Sequence, residues 1–149
     1  MKRVLNNYRE SRGAVLVELA LMLPLLTILF LGVVDLGLVI WEHQVLQNAA
    51  RAGARFSALP RNWVNPRNPV ASEVAIKQRV IDYLQEEGIT VDLADISVTQ
   101  AFAINVPGMT LTGSEVSVTY TRALLFSGGG LLPFADVTLH GRSVFRNLY

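Results

Sequence analysis

The sequence of 149 residues contains no cysteine and only two histidines. Without cysteine, the chain has no disulfide, no thiol nucleophile and no Cys-ligated metal site. Charges of the two signs nearly balance, with 13 Lys and Arg against 12 Asp and Glu. Nucleic-acid-binding domains usually carry a marked excess of positive charge, so we expect no nucleic-acid partner.

The motifs of common catalytic and cofactor sites are also absent from the sequence. His43 and His140 stand in no metal-ligand spacing, and no P-loop, Rossmann fingerprint or G-x-S-x-G elbow occurs. Asp92 and Asp95 lack the further ligands of a calcium loop, which favours helix-end capping or solvation. The sequence therefore predicts a protein that is not an enzyme, with no cofactor, no metal site and no small-molecule substrate.

The main positive feature is the apolar block Ala14–Trp41, which only Glu18 and Asp35 interrupt. At about 1.5 Å per residue, a helix of this length exceeds a hydrocarbon core of roughly 30 Å. It is too long for the apolar region of a signal peptide, and no small-residue cleavage motif closes it. We therefore predict one retained transmembrane helix at residues 14–41.

The charges that flank this block predict its orientation. Four basic residues precede it, offset only by Glu10, whereas Glu42 and His43 follow it. The positive-inside rule then places residues 1–13 in the cytoplasm, with the chain after the span outside. Gly13 is a poor helix former and is expected to separate this leader from the helix. The four basic residues are Lys2, Arg3, Arg9 and Arg12.

Two amphipathic helices are predicted after the span. In residues 42–59 the apolar side chains recur at spacings of three and four, and Pro60–Pro69 reads as a loop. Ser72 is the expected N-cap of a second helix that runs to about Glu87, with Gly88 just past its end. The expected buried residues are Val45, Leu46, Ala49, Ala52 and Phe56 in the first helix, and Val74, Ile76, Val80, Ile81 and Leu84 in the second.

Three segments alternate apolar and polar residues, as strands do: Ile96–Ile104, Glu115–Leu124 and, more weakly, Asp136–Phe145. In the first strand, strict alternation places Ile96, Val98, Phe102 and Ile104 on one face. The predicted fold class of residues 60–149 is an extracytoplasmic α+β head, in which one helix packs on an antiparallel β-meander.

The segment between the last two strands combines a triglycine, Gly128–Gly130, with flanking apolar residues. These side chains either fold back over the head or contact a partner or the membrane surface. They are Leu125, Phe126, Leu131, Leu132 and Phe134.

Glu18 is a carboxylate within the apolar block. An ionised group costs roughly 2.5–3.5 kcal/mol at the bilayer centre and less near the interface, to which Glu18 could reach. If a peptidase removed residues 1–13, the new amine of Ala14 would be a cation four residues before this anion. The two charges could then pair, within one chain or between staggered neighbours, and fix register during assembly.

These segments resemble the TadE-like pseudopilins of tight-adherence (Tad/Flp) pilus systems, relatives of the type IV pilins. The resemblance is carried by Arg12-Gly13, by the run Ala14–Pro24 that contains Glu18, and by Gln47–Arg55. It is strong over residues 11–56 and covers the later helix and strands only in outline.

The resemblance implies a pilin-like protein of the bacterial inner membrane, cut by a prepilin peptidase between Gly13 and Ala14, with Glu18 used in assembly. The mature chain would be a minor pseudopilin in pilus initiation, at the tip or in the assembly platform. Its expected partners are other pilin-like subunits, platform proteins, the peptidase and the lipid bilayer.

Two alternatives stay open from the sequence. One is a single-pass, membrane-anchored binding module that never enters a filament and uses the apolar segment 125–135 for docking. The other is an exported hydrolase that uses His140 with Asp136. The latter is disfavoured because residues four apart on a strand are separated by about 13 Å.

Overall fold

The computed structural model describes residues 2–59, 71–124 and 136–148, with side chains described from Gly13 onward. Helix α1 spans Lys2–Ala58 and helix α2 spans Glu73–Glu86. A short 3₁₀ helix, Leu93–Asp95, leads into three strands: β1 (Ile96–Val106), β2 (Met109–Arg122) and β3 (Val137–Arg146). The predicted α+β class, with an N-terminal helix and a small head, is confirmed.

The chain divides into two compact units, Met1–Leu38 and Val39–Tyr149. We call the second unit the head. Helix α1 contributes to both units, since its last twenty or so residues supply part of the head core. The compact unit that contains the predicted head, residues 60–149, also contains this segment of α1.

Within the first unit the helix is continuous through Gly13, so the expected break after the leader was wrong. A single glycine in a helix costs roughly 1 kcal/mol relative to alanine. The strong helix formers that follow, such as Ala14 and Leu16, offset this cost. Pro24 also lies inside α1, where its missing N–H leaves the carbonyl of Ala20 without its usual helical donor.

Small residues let the last part of α1 approach the rest of the head closely. Ala49, Ala50 and Ala54 are completely buried. A Cβ added at Gly53 would lie 2.5 Å from Val80 Cγ2 of α2, and one added at Gly141 of β3 would collide with the carbonyl group of Leu46. Helix α1 therefore packs against both α2 and the sheet at positions where only a small residue fits.

Helix α2 begins and ends as the sequence predicts. Ser72 is its N-cap, and the Ser72 side chain accepts a hydrogen bond from Ala75 N at 3.3 Å. At the other end Gly88 has φ 76°, and Ile89 N donates to Leu84 O at 2.8 Å. This is the Schellman arrangement, in which a glycine in the left-handed region closes a helix.

The predicted inner face of α2 is largely confirmed. Four of its five expected residues are buried, whereas Val74 is 68% exposed. Val74 lies in the first turn, two residues after the N-cap, and points away from the sheet. The four buried residues are Ile76, Val80, Ile81 and Leu84.

The sheet is an antiparallel meander, as predicted, and its strand order is β1-β2-β3. Its pairing is regular between β2 and β3, but β1 contains a bulge. Thr99 pairs with Glu115 while Phe102 pairs with Gly113, so β1 has one more residue than β2 over this stretch. An extra residue shifts every later side chain of that strand to the opposite face.

The bulge overturns the expectation that Ile96, Val98, Phe102 and Ile104 share a face. Ile96 pairs with Val118, which is completely buried on the face covered by the helices. Phe102 pairs with Gly113, which lies two residues before Glu115 on β2 and hence on the opposite, outer face. Strict alternation was broken at Gln100, whose side chain enters a buried polar cluster.

This polar cluster joins the end of α1 to the sheet. Ser57 Oγ donates to Ser114 Oγ at 2.9 Å, and Ser114 Oγ donates to Asn147 Oδ1 at 2.7 Å. Asn147 Nδ2 donates to Gln100 O at 2.9 Å, and Gln100 Nε2 donates to Ala71 O at 2.7 Å. Buried polar groups must be paired in this way, so the cluster fixes where these segments meet.

Candidate assembly site

The three residues predicted to act in processing and assembly lie close together near the start of the first unit. Gly13, Ala14 and Glu18 all belong to α1 and are exposed. Ala14 and Glu18 are four residues apart, which places them on the same side of the helix with a rise of about 6 Å between them. An amine created at Ala14 would therefore lie next to the Glu18 carboxylate.

Gly13 has open space around it. Apart from its chain neighbours and the local helix backbone, a Cβ added at this position would meet no atom of the described residues within 4 Å, and the same is true of Gly32 and Gly37. A larger side chain at Gly13 is thus compatible with the described part of the fold. Any effect of such a change on processing can be separated from an effect on folding.

The helix that follows exposes its apolar side chains on every side. Every residue from Gly13 to Phe30 is exposed, and Leu21 and Leu29, for example, are 74% and 66% exposed. Within the described residues, Gly13–Ala58 is long and apolar enough at its start to cross a membrane. A surface of this kind is stable only in lipid or against other apolar helices.

Asp35 interrupts the exposed apolar surface. It is 5% exposed, whereas its neighbours Val34 and Leu36 are 38% and 65% exposed. Two turns later Glu42 is 7% exposed, on the same side of α1.

Comparison with known protein families finds a match that covers much of this helix. Residues 13–55 match the TadE-like protein family. The matched segment of the chain is similar to that family. It begins at Gly13, includes Glu18 and ends within the part of α1 that packs in the head, so the resemblance expected from the sequence is confirmed.

TadE-like proteins belong to tight-adherence pilus systems, and the match together with the long apolar helix indicates a membrane-anchored protein. Pilus-related families of this kind are generally not enzymes. Comparisons with curated proteins and with solved structures gave no match.

Several other residues considered from the sequence can be placed. Asp95 Oδ2 accepts a hydrogen bond from Asp92 N at 3.2 Å, so this pair caps the 3₁₀ helix as expected. His140 is exposed, and its Nδ1 lies 3.3 Å from Thr119 Oγ1. No group of three or more His, Asp or Glu that could hold a metal occurs within 13–59, 71–124 and 136–148.

The predicted partner-contact segment falls outside the described residues. Its role in docking stays a prediction for all five apolar positions. They are Leu125, Phe126, Leu131, Leu132 and Phe134.

No pattern in the sequence indicates the buried ion pair that the head contains. Glu42 of α1 and Arg122 of β2 form a salt bridge, and their side chains are 9% and 13% exposed. The two residues are 80 positions apart, and each stands at the edge of a predicted element. Only the packing of α1 on the sheet brings them together.

Proposed function

We propose that the chain is a minor pseudopilin of a tight-adherence pilus, processed by a prepilin peptidase between Gly13 and Ala14. It resides in the bacterial inner membrane, with residues 1–13 in the cytoplasm and the head outside. Its role is structural, in pilus initiation, at the tip or in the assembly platform. The match of residues 13–55 to the TadE-like family is the observation that carries this proposal.

The geometry around the proposed cleavage position supports it. Gly13 and Ala14 are exposed, so a membrane peptidase has access to the bond between them once the helix is locally opened. The leader carries four of the chain's 13 basic residues. Its removal leaves an apolar rod that begins with one amine and one carboxylate.

Assembly then depends on Glu18. In an apolar environment an unpaired carboxylate is unfavourable, and so is an unpaired ammonium group. A pair between Glu18 and the amine of Ala14 removes both penalties, and it forms within one chain or between staggered neighbours. Only a neighbour in the correct register satisfies the second arrangement, which would select that register.

Processing is tested by mass spectrometry of the membrane-extracted protein from hosts with and without the peptidase. We expect the mature chain to start at Ala14 only where the peptidase is present. Gly13→Leu should block the cut, whereas Gly32→Leu, at an equally open position of the same helix, should not. An intact residue 1–13 segment in the host with active peptidase would contradict the proposal and favour the binding-module alternative.

The role of Glu18 is tested by Glu18→Ala, compared with Glu10→Ala as the matched control. Glu10 is lost with the leader, so its replacement should leave assembly unchanged. Glu18→Ala should be processed at a near-normal level but fail to enter assembled pili, as measured by immunoblotting of sheared pili against membranes. Wild-type amounts of assembled Glu18→Ala protein would rule out the charge-pair role.

A further inference from the structure

The outer face of the sheet is divided by the bulge in β1. On the side of Ile96 this face carries hydroxyl groups and His140, for example Ser97, Thr119 and Thr138, in line with a solvent-facing sheet. Beyond the bulge the same face becomes apolar, because the extra residue in β1 directs the apolar side chains of this strand to the outer face. We call this part the hairpin surface; its apolar residues are Phe102, Ile104, Val106, Met109, Leu111 and Val144.

The hairpin surface is not covered by another described element. Val106, Met109 and Val144 are 41%, 58% and 37% exposed, and the other three residues are partly exposed. Across the hairpin, the helix-side positions Asn105 and Thr110 are polar. The apolar side of this hairpin therefore faces away from the head core, which is the reverse of a sheet that only packs on its helices.

The hairpin surface is bordered by two arginines and one glutamate, which leaves an excess of one positive charge. Arg146 pairs in register with Gly113 and therefore lies on the same outer face as the hairpin surface. It is exposed and forms no ion pair within the described part of the chain. Arg142 lies with its Cζ 5.8 Å from the centre of the Phe102 ring. Its guanidinium binds Glu115 through two hydrogen bonds of 2.6 and 3.0 Å, and this partner raises the pKa of Arg142.

The head also carries a surface of opposite charge, which includes an exposed apolar residue as the hairpin surface does. Glu86, Glu87, Asp92 and Asp95 are exposed, and Leu93 between the two aspartates is 47% exposed. No Lys or Arg occurs between Arg79 and Arg122 in the sequence. We call this region, Glu86–Asp95, the acidic end.

The acidic end and the hairpin surface lie at opposite ends of the head. The acidic end leads directly into Ile96. Ile96 pairs with Val118, and Val118 pairs with Gly141 on the next strand. Gly141 in turn packs on the carbonyl of Leu46. At the other end, Leu148 N donates to Ala58 O at 3.1 Å beside the hairpin. Leu46 and Ala58 are twelve residues apart on α1, which corresponds to about 18 Å.

We propose that the hairpin surface of one copy binds the acidic end of a second copy. Arg146 faces the carboxylates of Glu86 and Glu87, and exposed Leu93 inserts among the apolar side chains around Met109. The two surfaces differ, so the contact is heterologous. In a pair, one copy keeps its acidic end free and the other keeps its hairpin surface free, so further copies can add by the same contact. This contact goes beyond the proposed function and does not require cleavage or Glu18.

The natural absence of cysteine allows a direct test by site-specific crosslinking. Full-length Met109→Cys and Leu93→Cys proteins carry tags of different size and are mixed in detergent, then treated with a short bis-maleimide. We expect a product that joins the two tags and much less product between copies of the same variant. Thr121→Cys, on the polar half of the same sheet face, replaces Met109→Cys in the control.

Charge reversal makes the test specific. Arg146→Glu in the Met109→Cys chain should lower the yield about fivefold or more at low salt, since it replaces an attraction by a repulsion. Glu86→Lys with Glu87→Lys in the Leu93→Cys chain should lower it similarly. The two altered chains mixed together should recover most of the yield. Far-UV circular dichroism verifies that each variant is folded.

Three results would overturn the proposal. They are a yield no higher than that of the Thr121→Cys control, a predominant Met109–Met109 product, or a yield that charge reversal does not change. The first would also be the outcome if the hairpin surface binds lipid or a different protein. Mass spectrometry of the same samples reports the leader, so a failed contact in correctly processed protein contradicts this inference alone.

Discussion

At the scale of single residues, the contact between Glu42 and Arg122 distinguishes this head from an ordinary apolar core. Both side chains are nearly buried, and Glu42 Oε2 has no hydrogen-bond partner within the described residues. Removing two charges from water is unfavourable, and their mutual attraction must offset this penalty. The pair therefore adds little net stability but makes any other placement of α1 on β2 unfavourable.

Glu42→Ala is expected to lower the free energy of unfolding of the head by about 3 kcal/mol, because the largely buried Arg122 guanidinium loses the carboxylate of its salt bridge. Lys77→Ala provides the control, since it breaks the more exposed Glu73–Lys77 pair of α2 and should cost only about 0.3–0.5 kcal/mol. Denaturant unfolding in detergent measures both. A similar small loss for the two variants would show that the Glu42–Arg122 pair is not a constraint.

Two glycines show which structural roles can be predicted from the residue type and which cannot. Gly88 was predicted as a helix end, and its positive φ confirms this. Gly141 carried no signal in the sequence beyond a weakly alternating strand. Its smallness is needed because α1 crosses β3 at this position, which only the packed structure reveals.

At the scale of elements, the bulge in β1 changes which apolar residues belong to the core. The burial of β1 still alternates along its length, which is why the sequence pattern suggested one continuous face. The register shows that the two halves of the strand direct their apolar residues to opposite sides. Alternation by itself cannot reveal an inserted residue, since the pattern resumes in the same phase along the sequence.

Alanine substitutions on either side of the bulge should therefore differ. Ile96→Ala should lower the free energy of unfolding by about 2–5 kcal/mol, because Ile96 is 1% exposed within the core. Phe102→Ala should lower it by about 1 kcal/mol or less, although a larger side chain is removed, because Phe102 lies on the outer face. Equal losses, measured by denaturant unfolding, would place both residues in one core and contradict the register.

At the scale of the whole molecule, the first and the last part of α1 have different surroundings. Its first part exposes apolar residues on all sides, whereas its last part buries one side of small residues against α2 and the sheet. The head core thus depends on residues that the sequence pattern assigns to a continuation of the membrane helix. Leu46, Ala49, Ala50 and Ala54 are all completely buried there.

This dependence predicts the outcome of two truncations. A chain that starts at Val39 should be soluble and unfold cooperatively, since it keeps the whole second unit. A chain that starts at Pro60 should be unfolded or aggregated, because the sheet and α2 lose the helix that covers them. Circular dichroism and thermal unfolding distinguish the two. A folded chain from Pro60 would support a head that is complete without α1.

The sequence by itself determined the long apolar helix, the caps of α2, the three strands and the segment that matches the TadE-like family. These features depend on composition and on residues that are near one another along the chain, so local rules suffice. The continuity of α1 through Gly13 was missed because one poor helix former weighs little against its neighbours.

The tertiary structure alone decided the Glu42–Arg122 pair, the polar cluster around Ser57, the close crossing at Gly141 and the exposed apolar hairpin. Each depends on residues that are far apart in sequence, or on a bulge whose effect appears only when the strand is paired with its neighbour. The amino-acid pattern sets which elements form. Their packing sets which faces are left exposed and available to partners.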